Sequence, residues 1–183
     1  MSPDRSKLSS SAAAALVASL VREVRDFPAP GVVFKDITPV LADPVAFAAA
    51  VRWMASALPG PFDKVVAIEA RGFILGAPVA YVLEAGLVPV RKVGKLPAAT
   101  VAQGYTLEYG EDRLEMHADA LSAGDRVLVV DDVVATGGTA LATVELVSQA
   151  GAQLGGIAAL LAVPGLGGRE RLASHHLRVL VPG

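Results

Sequence analysis

The chain has no cysteine, which removes disulfides, thiolate nucleophiles and thiolate-held zinc together. Aromatic residues make up only 5% of it, so the 53% apolar share must pack mainly through Ala and Val, without large aromatic anchors. An excess of one charge is missing too. The 16 basic and 18 acidic residues leave a net −2, which gives no general attraction to nucleic acid or to an acidic membrane surface. No run approaches the ~18 uninterrupted apolar residues of a membrane span. Any anion site must therefore be a local cluster. The absence of Cys is compatible with a reducing, cytoplasmic setting, and that location is the expectation.

One segment imitates a signal peptide: Arg5 and Lys7 precede the apolar run from Ala12 to Leu20. The run is mostly Ala, is broken by Ser19 and leads into the charged Val21-Arg22-Glu23-Val24-Arg25. Leu16, Leu20 and Val24 recur at helical spacing, so an amphipathic first helix is expected there instead.

The 183 residues suit a single domain spanning 1–183. Asp43-Pro44 caps and opens a helix, with Phe47, Val51, Met54, Ala55 and Leu58 on one face before Pro59-Gly60-Pro61 stops it. Lys64 to Ile68 contains a short strand, Gly72 to Ala85 a helix closed by Gly86, and Leu87 to Val90 a strand whose Pro89 suggests an edge or an end. From Lys92 to Gly110 the apolar period fails, as in a long loop or a loosely held β-excursion. Val127 to Val130 is a buried strand, Thr139 to Ala150 a helix ending at Gly151, and Ile157 to Val163 and Leu177 to Val181 are further strands. Continuous apolar strands alternating with helices predict an α/β fold: a mainly parallel twisted sheet flanked by helices.

The run Val127 to Thr139, VLVVDDVVATGGT, carries the most specific chemistry. Ligands of open parallel sheets bind beyond the carboxyl ends of strands, where Asp131 and Asp132 stand. Two adjacent buried carboxylates need hydroxyls, cations or backbone N–H groups as partners. Ala135, Thr136, Gly137, Gly138 and Thr139 then open a helix; the glycines allow a tight turn with inward N–H groups, and the helix N-terminus favours an anion. This pattern suits a sugar phosphate, its hydroxyls on the acids and its phosphate in the loop. The plainer alternative is a capped helix with solvent-facing acids. No Lys follows the glycines and no G-x-G-x-x-G follows the strand, which excludes a nucleotide P-loop and a dinucleotide fingerprint.

That run resembles the 5-phosphoribosyl-1-diphosphate (PRPP) motif of the type I phosphoribosyltransferases. Other segments resemble the adenine phosphoribosyltransferases in particular. They are Phe27 to Pro39 (FPAPGVVFKDITP), Glu69-Ala70-Arg71-Gly72-Phe73, Arg91 to Pro97 (RKVGKLP) and Tyr105 to Gly110 (YTLEYG). The resemblance extends from about Val24 to Leu172. It implies a small N-terminal hood, about 1–40, that faces the purine, and a mobile catalytic loop at about 91–110.

By composition alone Phe34 is a core residue. The resemblance places a base between Phe34 and Val133, with backbone groups near Val33 and Lys35 reading the adenine edge. It places Arg71 on the diphosphate, where a guanidinium can fork onto the ligand; the plainer alternative pairs Arg71 with Glu69 at the surface. Family members often have a non-proline cis peptide before this Arg, so Ala70–Arg71 is the expected position. Between Glu84 and Glu108 there is no acid, while Arg91, Lys92 and Lys95 are present, concentrating positive charge on one segment. The resemblance makes these three, with Tyr109, diphosphate-binding residues of a lid, and extends Arg91 to a neighbouring subunit's site.

Glu108 becomes the candidate catalytic acid/base beside Arg71. The implied reaction is adenine and PRPP to AMP and diphosphate, with Mg²⁺ as cofactor carried on the diphosphate. Asp131 or Asp132 is the possible direct ligand, and a homodimer is implied. The alternatives are an oxo-purine phosphoribosyltransferase and a PRPP-sensing transcription regulator; a regulator would carry a DNA-binding domain or a basic face, at odds with the acidic net charge and short N-terminal extension. Val93 stands where the family often has a basic residue or Pro, and Lys35 where some members have Arg. His117, His175 and His176 lack partners at metal spacing.

Overall fold

Strand β7 (Arg126–Val134) explains most of the architecture. In a computed structural model that describes residues 8–106 and 111–182, Leu128 and Val130 enter one apolar cluster while Val127 and Val129 enter another. Successive strand residues face opposite sides, so a strand apolar at every position needs cover on both. β3 (Lys64–Ile68) divides its residues likewise, with Val65 in the first cluster and Val66 and Ile68 in the second. The first cluster is covered by α1 (Ser10–Leu20), α3 (Pro44–Ser56) and α4 (Arg71–Leu83), the second by α5 (Gly138–Gln149).

With β4 (Gly86–Lys92), β5 (Thr100–Thr106), β6 (Glu111–His117), β8 (Gln153–Ala162) and β9 (Leu177–Val181), the described residues form a sheet in the order β5-β6-β4-β3-β7-β8-β9. β4, β3, β7, β8 and β9 run parallel, and the β5–β6 hairpin adds antiparallel to β4. From β3 the chain crosses by α4 to one side, and from β7 by α5 to the other. The crevice between the carboxyl ends of β3 and β7 is thus a topological switch point, with both helix N-termini aimed at it. The mainly parallel, helix-flanked α/β sheet expected from the sequence is the fold observed.

Several boundaries differ, each for a physical reason. The first helix ends at Leu20, and Val24 does not continue it. The next residues form β1 (Arg22–Arg25), paired antiparallel with β2 (Val33–Asp36), so that Val24 lies opposite Phe34. Arg22 anchors this ribbon by binding Asp36 Oδ2 through Nε at 3.1 Å and Nη2 at 2.6 Å. The Thr38 amide, then Arg22, then the Thr38 hydroxyl hold the Asp36 carboxyl down at about 2. A short helix, α2 (Thr38–Ala42), connects the ribbon to α3, which Asp43 caps as expected.

Helix α4 stops at Leu83, where Glu84 takes the left-handed conformation (φ 54°), and Gly86 opens β4 instead of closing the helix. Pro89 lies inside β4, in the stretch bonded only to β3, because β6 pairs only with Arg91 and Lys92. Within the segment without apolar period, Thr100–Thr106 is β5, which pairs with β6; Leu114 and Met116 of β6, beyond that segment, supply the buried face of the pair, while Val101 of β5 is only partly buried. Strand β7 runs on through both acids to Val134, so Asp131 and Asp132 lie within the strand, not after it.

Candidate active site

Both acids are buried, Asp131 at 7% and Asp132 at 5% exposure. Burial is the main cause pushing the Asp131 carboxyl well above its usual value, and the Asp132 charge adds to it. Asp132 is raised by burial as well, with Arg71 opposing. Asp131 Oδ1 accepts the Asp132 amide at 2.8 Å. Arg71 Nε lies 2.8 Å from Asp132 Oδ2, yet without hydrogen-bond alignment, so that buried oxygen accepts no hydrogen bond. A buried carboxylate oxygen with the Arg71 charge beside it but no hydrogen bond still lacks a donor, which a ligand hydroxyl would supply.

Gly72, at the start of α4, lets the helix press against this strand. A Cβ there would meet Asp131 Oδ1 at 3.1 Å and the Val130 carbonyl at 3.2 Å. The loop beyond β7 turns through Gly137 (φ 79°), which caps α5, and Gly138 is buried in its first turn. Its backing comes from an unexpected place. Gly168, opening the short helix α6 (Gly168–Arg171), packs so closely that a Cβ would stand 2.2 Å from the Ala135 carbonyl oxygen and 2.9 Å from the Gly137 nitrogen. Only a residue without a side chain fits beneath the loop.

A cavity of about 290 Å³ joins this loop to the hood, lined by Val32, Val33, Phe34, Lys35, Arg71, Asp132, Val133, Ala135, Val163 and Leu166. The predicted base-facing residues Val33, Phe34, Lys35 and Val133 are thus brought together with Arg71, Asp132 and Ala135. Lys35 turns its Nζ to Glu23, the first cause of a lowered Glu23 carboxyl. Since β2 has a single partner strand among the described residues, its other edge keeps backbone groups unpaired within the ribbon. The Arg71 guanidinium lies over the Phe34 ring at 4.7 Å, and Phe27 meets that ring edge-on at 5.2 Å. Phe34 is therefore a partly buried residue lining this cavity and not part of the core.

Arg71 does not pair with Glu69. Glu69 Oε2 instead accepts Arg91 Nε at 3.1 Å and the Lys92 amide at 2.9 Å. The cis peptide falls one bond earlier than expected, at Glu69–Ala70. The acid-free window in sequence is therefore not acid-free in space, because Glu69 and Glu115 both fold against it. Lys92, at the end of β4, and Lys95, on the turn after it, are exposed, and Val93 is 47% exposed, adding no charge there. Glu108 and Tyr109 lie outside the described residues. Among the described residues, no three His, Cys, Asp or Glu cluster as a metal cage.

Val163, Leu166, Gly168 and Glu115 were not among the expected site residues, and Glu69 was expected only within its motif, beside Arg71. The glycine cluster Gly165-Leu166-Gly167-Gly168 after a buried strand was the available signal for Leu166 and Gly168. The two glutamates act across 15 to 23 positions in sequence, and spacing could not reveal that.

The family model of the phosphoribosyl transferase domain matches residues 37–175. The adenine phosphoribosyltransferase of Streptomyces galbus is 58% identical over 158 residues, covering 86% of this chain and 87% of that protein. The one from Streptomyces coelicolor is 60% identical over the same length and shares. Among solved structures, the adenine phosphoribosyltransferase of Rhodothermus marinus superposes with a TM-score of 0.88 at 50% identity, over 92% of this chain and 97% of that one. The Saccharomyces cerevisiae enzyme, complexed with adenine and an imino-altritol bisphosphate, gives 0.85 at 33% identity, over 92% and 98%.

Proposed function

The chain belongs to the adenine phosphoribosyltransferases, within the phosphoribosyl transferase domain family, and from that premise we propose that it transfers the 5-phosphoribosyl group of PRPP to adenine in purine salvage, giving AMP and diphosphate. The observation that carries this is the one cavity that joins an aromatic face and an open strand edge to a buried carboxylate and a phosphate loop. Residues 1–183 work as one catalytic unit, and the cysteine-free composition fits the cytoplasm.

Purine N9 attacks the anomeric carbon as diphosphate leaves, so the site must hold the ribose in line and neutralise the leaving group. The loop Ala135–Thr139 takes the 5-phosphate on backbone amides and the Thr136 and Thr139 hydroxyls. Asp131 and Asp132 accept the ribose hydroxyls. Arg71, Lys92, Lys95 and Tyr109 meet the diphosphate, and Glu108 manages the proton of the purine. Asp132, whose buried Oδ2 accepts no hydrogen bond, would be the residue to meet Mg²⁺ carried on the diphosphate, and the metal would supply further charge neutralisation there.

Arg71 holds the face of Phe34 that the base needs. Diphosphate offers the guanidinium a stronger, doubly charged partner, so its departure frees the ring for stacking between Phe34 and Val133. The free edge of β2 at Val33 and Lys35 then reads the adenine edge, and fixed backbone groups discriminate amino- from oxo-purines. Phe34→Ala is expected to raise the KM for adenine about tenfold or more, as loss of a stacking face does, with the KM for PRPP little changed; steady-state kinetics check both. With PRPP, Mg²⁺ and equal adenine, hypoxanthine, guanine and xanthine, AMP is the expected product. Predominant formation of an oxo-purine nucleotide would move the specificity to that class.

We extend the proposal to a homodimer. Ile74, Tyr81 and Val82 recur on one face of α4 at 46%, 85% and 51% exposure, and Leu87 of β4 adds 43%. A second copy of this chain is the natural cover, and Arg91, held by its own Glu69, stands to serve the neighbouring site. The wild-type protein should sediment at twice the 18.7 kDa chain mass and Tyr81→Glu as a monomer; equal sedimentation of the two would remove this face from the interface.

A further inference from the structure

Beyond the two acids of the ribose site, the described residues bury one further carboxylate, Glu115 of β6, at 4% exposure. Leu114 and Met116 face the apolar cluster, and Glu115, between them, faces the opposite side. Its Oε1 accepts the amides of Lys95 and Leu96, both at 2.9 Å, and its Oε2 accepts the Thr100 hydroxyl at 3.1 Å. The Leu96 amide is the first cause of a carboxyl held below its ordinary value, against the opposing pull of burial. Both oxygens are thus committed to the protein, which leaves Glu115 no part in proton transfer.

Lys95 and Leu96 lie on the turn that follows β4, and Thr100 opens β5. The Lys95 carbonyl, whose own amide Glu115 holds, receives Arg91 Nη1 at 2.9 Å, and Arg91 Nε reaches Glu69 at 3.1 Å. The basic segment is therefore held by two acids, Glu69 just past the end of β3 and Glu115 within β6. Glu69 grips the end of β4 at Arg91 and Lys92, and Glu115 grips the turn beyond it at Lys95 and Leu96. Burying a charge to fix a turn whose own side chains stay exposed is costly, and the cost is intelligible if the turn must be fixed in advance of its ligand.

We propose that Glu115 is a positioning residue for the diphosphate: it fixes the turn that carries Lys95 and, through the Lys95 carbonyl, holds Arg91 at the end of β4 beside Lys92, and so sets affinity for the diphosphate end of the substrate without touching it. The inference rests on the reading that this turn meets diphosphate.

Two substitutions separate reach from charge. Glu115→Gln removes the charge but keeps the reach, with its oxygen toward the two amides and its NH₂ donating to the Thr100 hydroxyl. Glu115→Asp keeps the charge but withdraws it by about 1.5 Å, one carbon–carbon bond. Calorimetric titration with Mg²⁺–PRPP and with AMP, which lacks a diphosphate, gives the test. Positioning predicts Glu115→Asp to weaken PRPP about tenfold, in line with lost charge-assisted hydrogen bonds, and to leave AMP unchanged, with Glu115→Gln close to wild type for both. Wild-type PRPP binding by Glu115→Asp, equal losses for AMP and PRPP, or a Gln variant worse than Asp would each overturn it. If Glu115→Asp does not fold, Thr100→Val carries the test through the other oxygen of the same carboxylate, Oε2: a smaller loss confined to PRPP supports the inference, and unchanged PRPP binding overturns it. A wild-type protein that binds PRPP but makes no AMP would defeat the functional proposal alone; one that binds no PRPP would defeat both.

Discussion

Asp131→Asn is expected to melt about 2–4 °C higher than the wild-type protein at pH 7.5, the scale of a modest stabilisation in a domain of this size, while kcat/KM for PRPP falls about a hundredfold with the lost charge-assisted bonds. The opposite signs have one cause. Burial, and then the neighbouring Asp132 charge, raise the Asp131 carboxyl well above its usual value. The folded protein therefore holds that proton more tightly than the unfolded chain does. Stability is full below the unfolded carboxylate value near 3.9, declines as pH rises from there toward the folded value, and stays reduced above it. Asn removes the buried charge, and its side-chain oxygen can still accept the Asp132 amide that Asp131 Oδ1 now holds at 2.8 Å. The stabilisation should therefore vanish near pH 3.5, where the wild-type group is protonated in both states. Scanning calorimetry across this range checks it. A variant that melts lower at pH 7.5, or that uses PRPP normally, would show that the acid serves structure and not ribose.

Glu108→Gln is the second large effect, with kcat reduced about a hundredfold or more while the Kd for PRPP stays within about threefold, the split expected when an acid/base group is lost but binding is not. Glu108 ends the acid-free window and lies in sequence between β5 and β6, the hairpin that continues from the basic turn. Closure over the substrate would bring the acid to the purine and shut out the water that would otherwise hydrolyse PRPP. Chemical-quench measurement of a single turnover, with PRPP binding measured separately, isolates the step. Unchanged turnover would reassign the proton to another group.

The parallel sheet was legible because both faces of β3, β7 and β8 are buried, and that condition writes itself as unbroken apolar runs. The turn from β7 into α5 was legible because its paired glycines permit the tight left-handed turn found at Gly137. What escaped depended on partners distant in sequence. Val24 fits a helical period extending from Leu16, but Arg22 finds Asp36 and draws the chain into a ribbon instead. The basic turn read as a concentration of positive charge, because nothing in its own sequence announces that Glu69 and Glu115 fold against it. Arg71 was placed just past the end of β3, and the alternative that paired it with Glu69 fails; its observed partners, Asp132 and Phe34, come from β7 and from the hood. Gly168 reads as a loop glycine until the Ala135 carbonyl is found against it.

The central claim is that one cavity brings adenine and PRPP together for transfer, and the direct test is nucleotide formation by the purified protein. Incubated with adenine, PRPP and Mg²⁺, the wild-type chain is predicted to release AMP and diphosphate in equal amounts, at a rate that falls steeply when the metal is chelated. No AMP under these conditions, from protein that binds both substrates, would contradict the account.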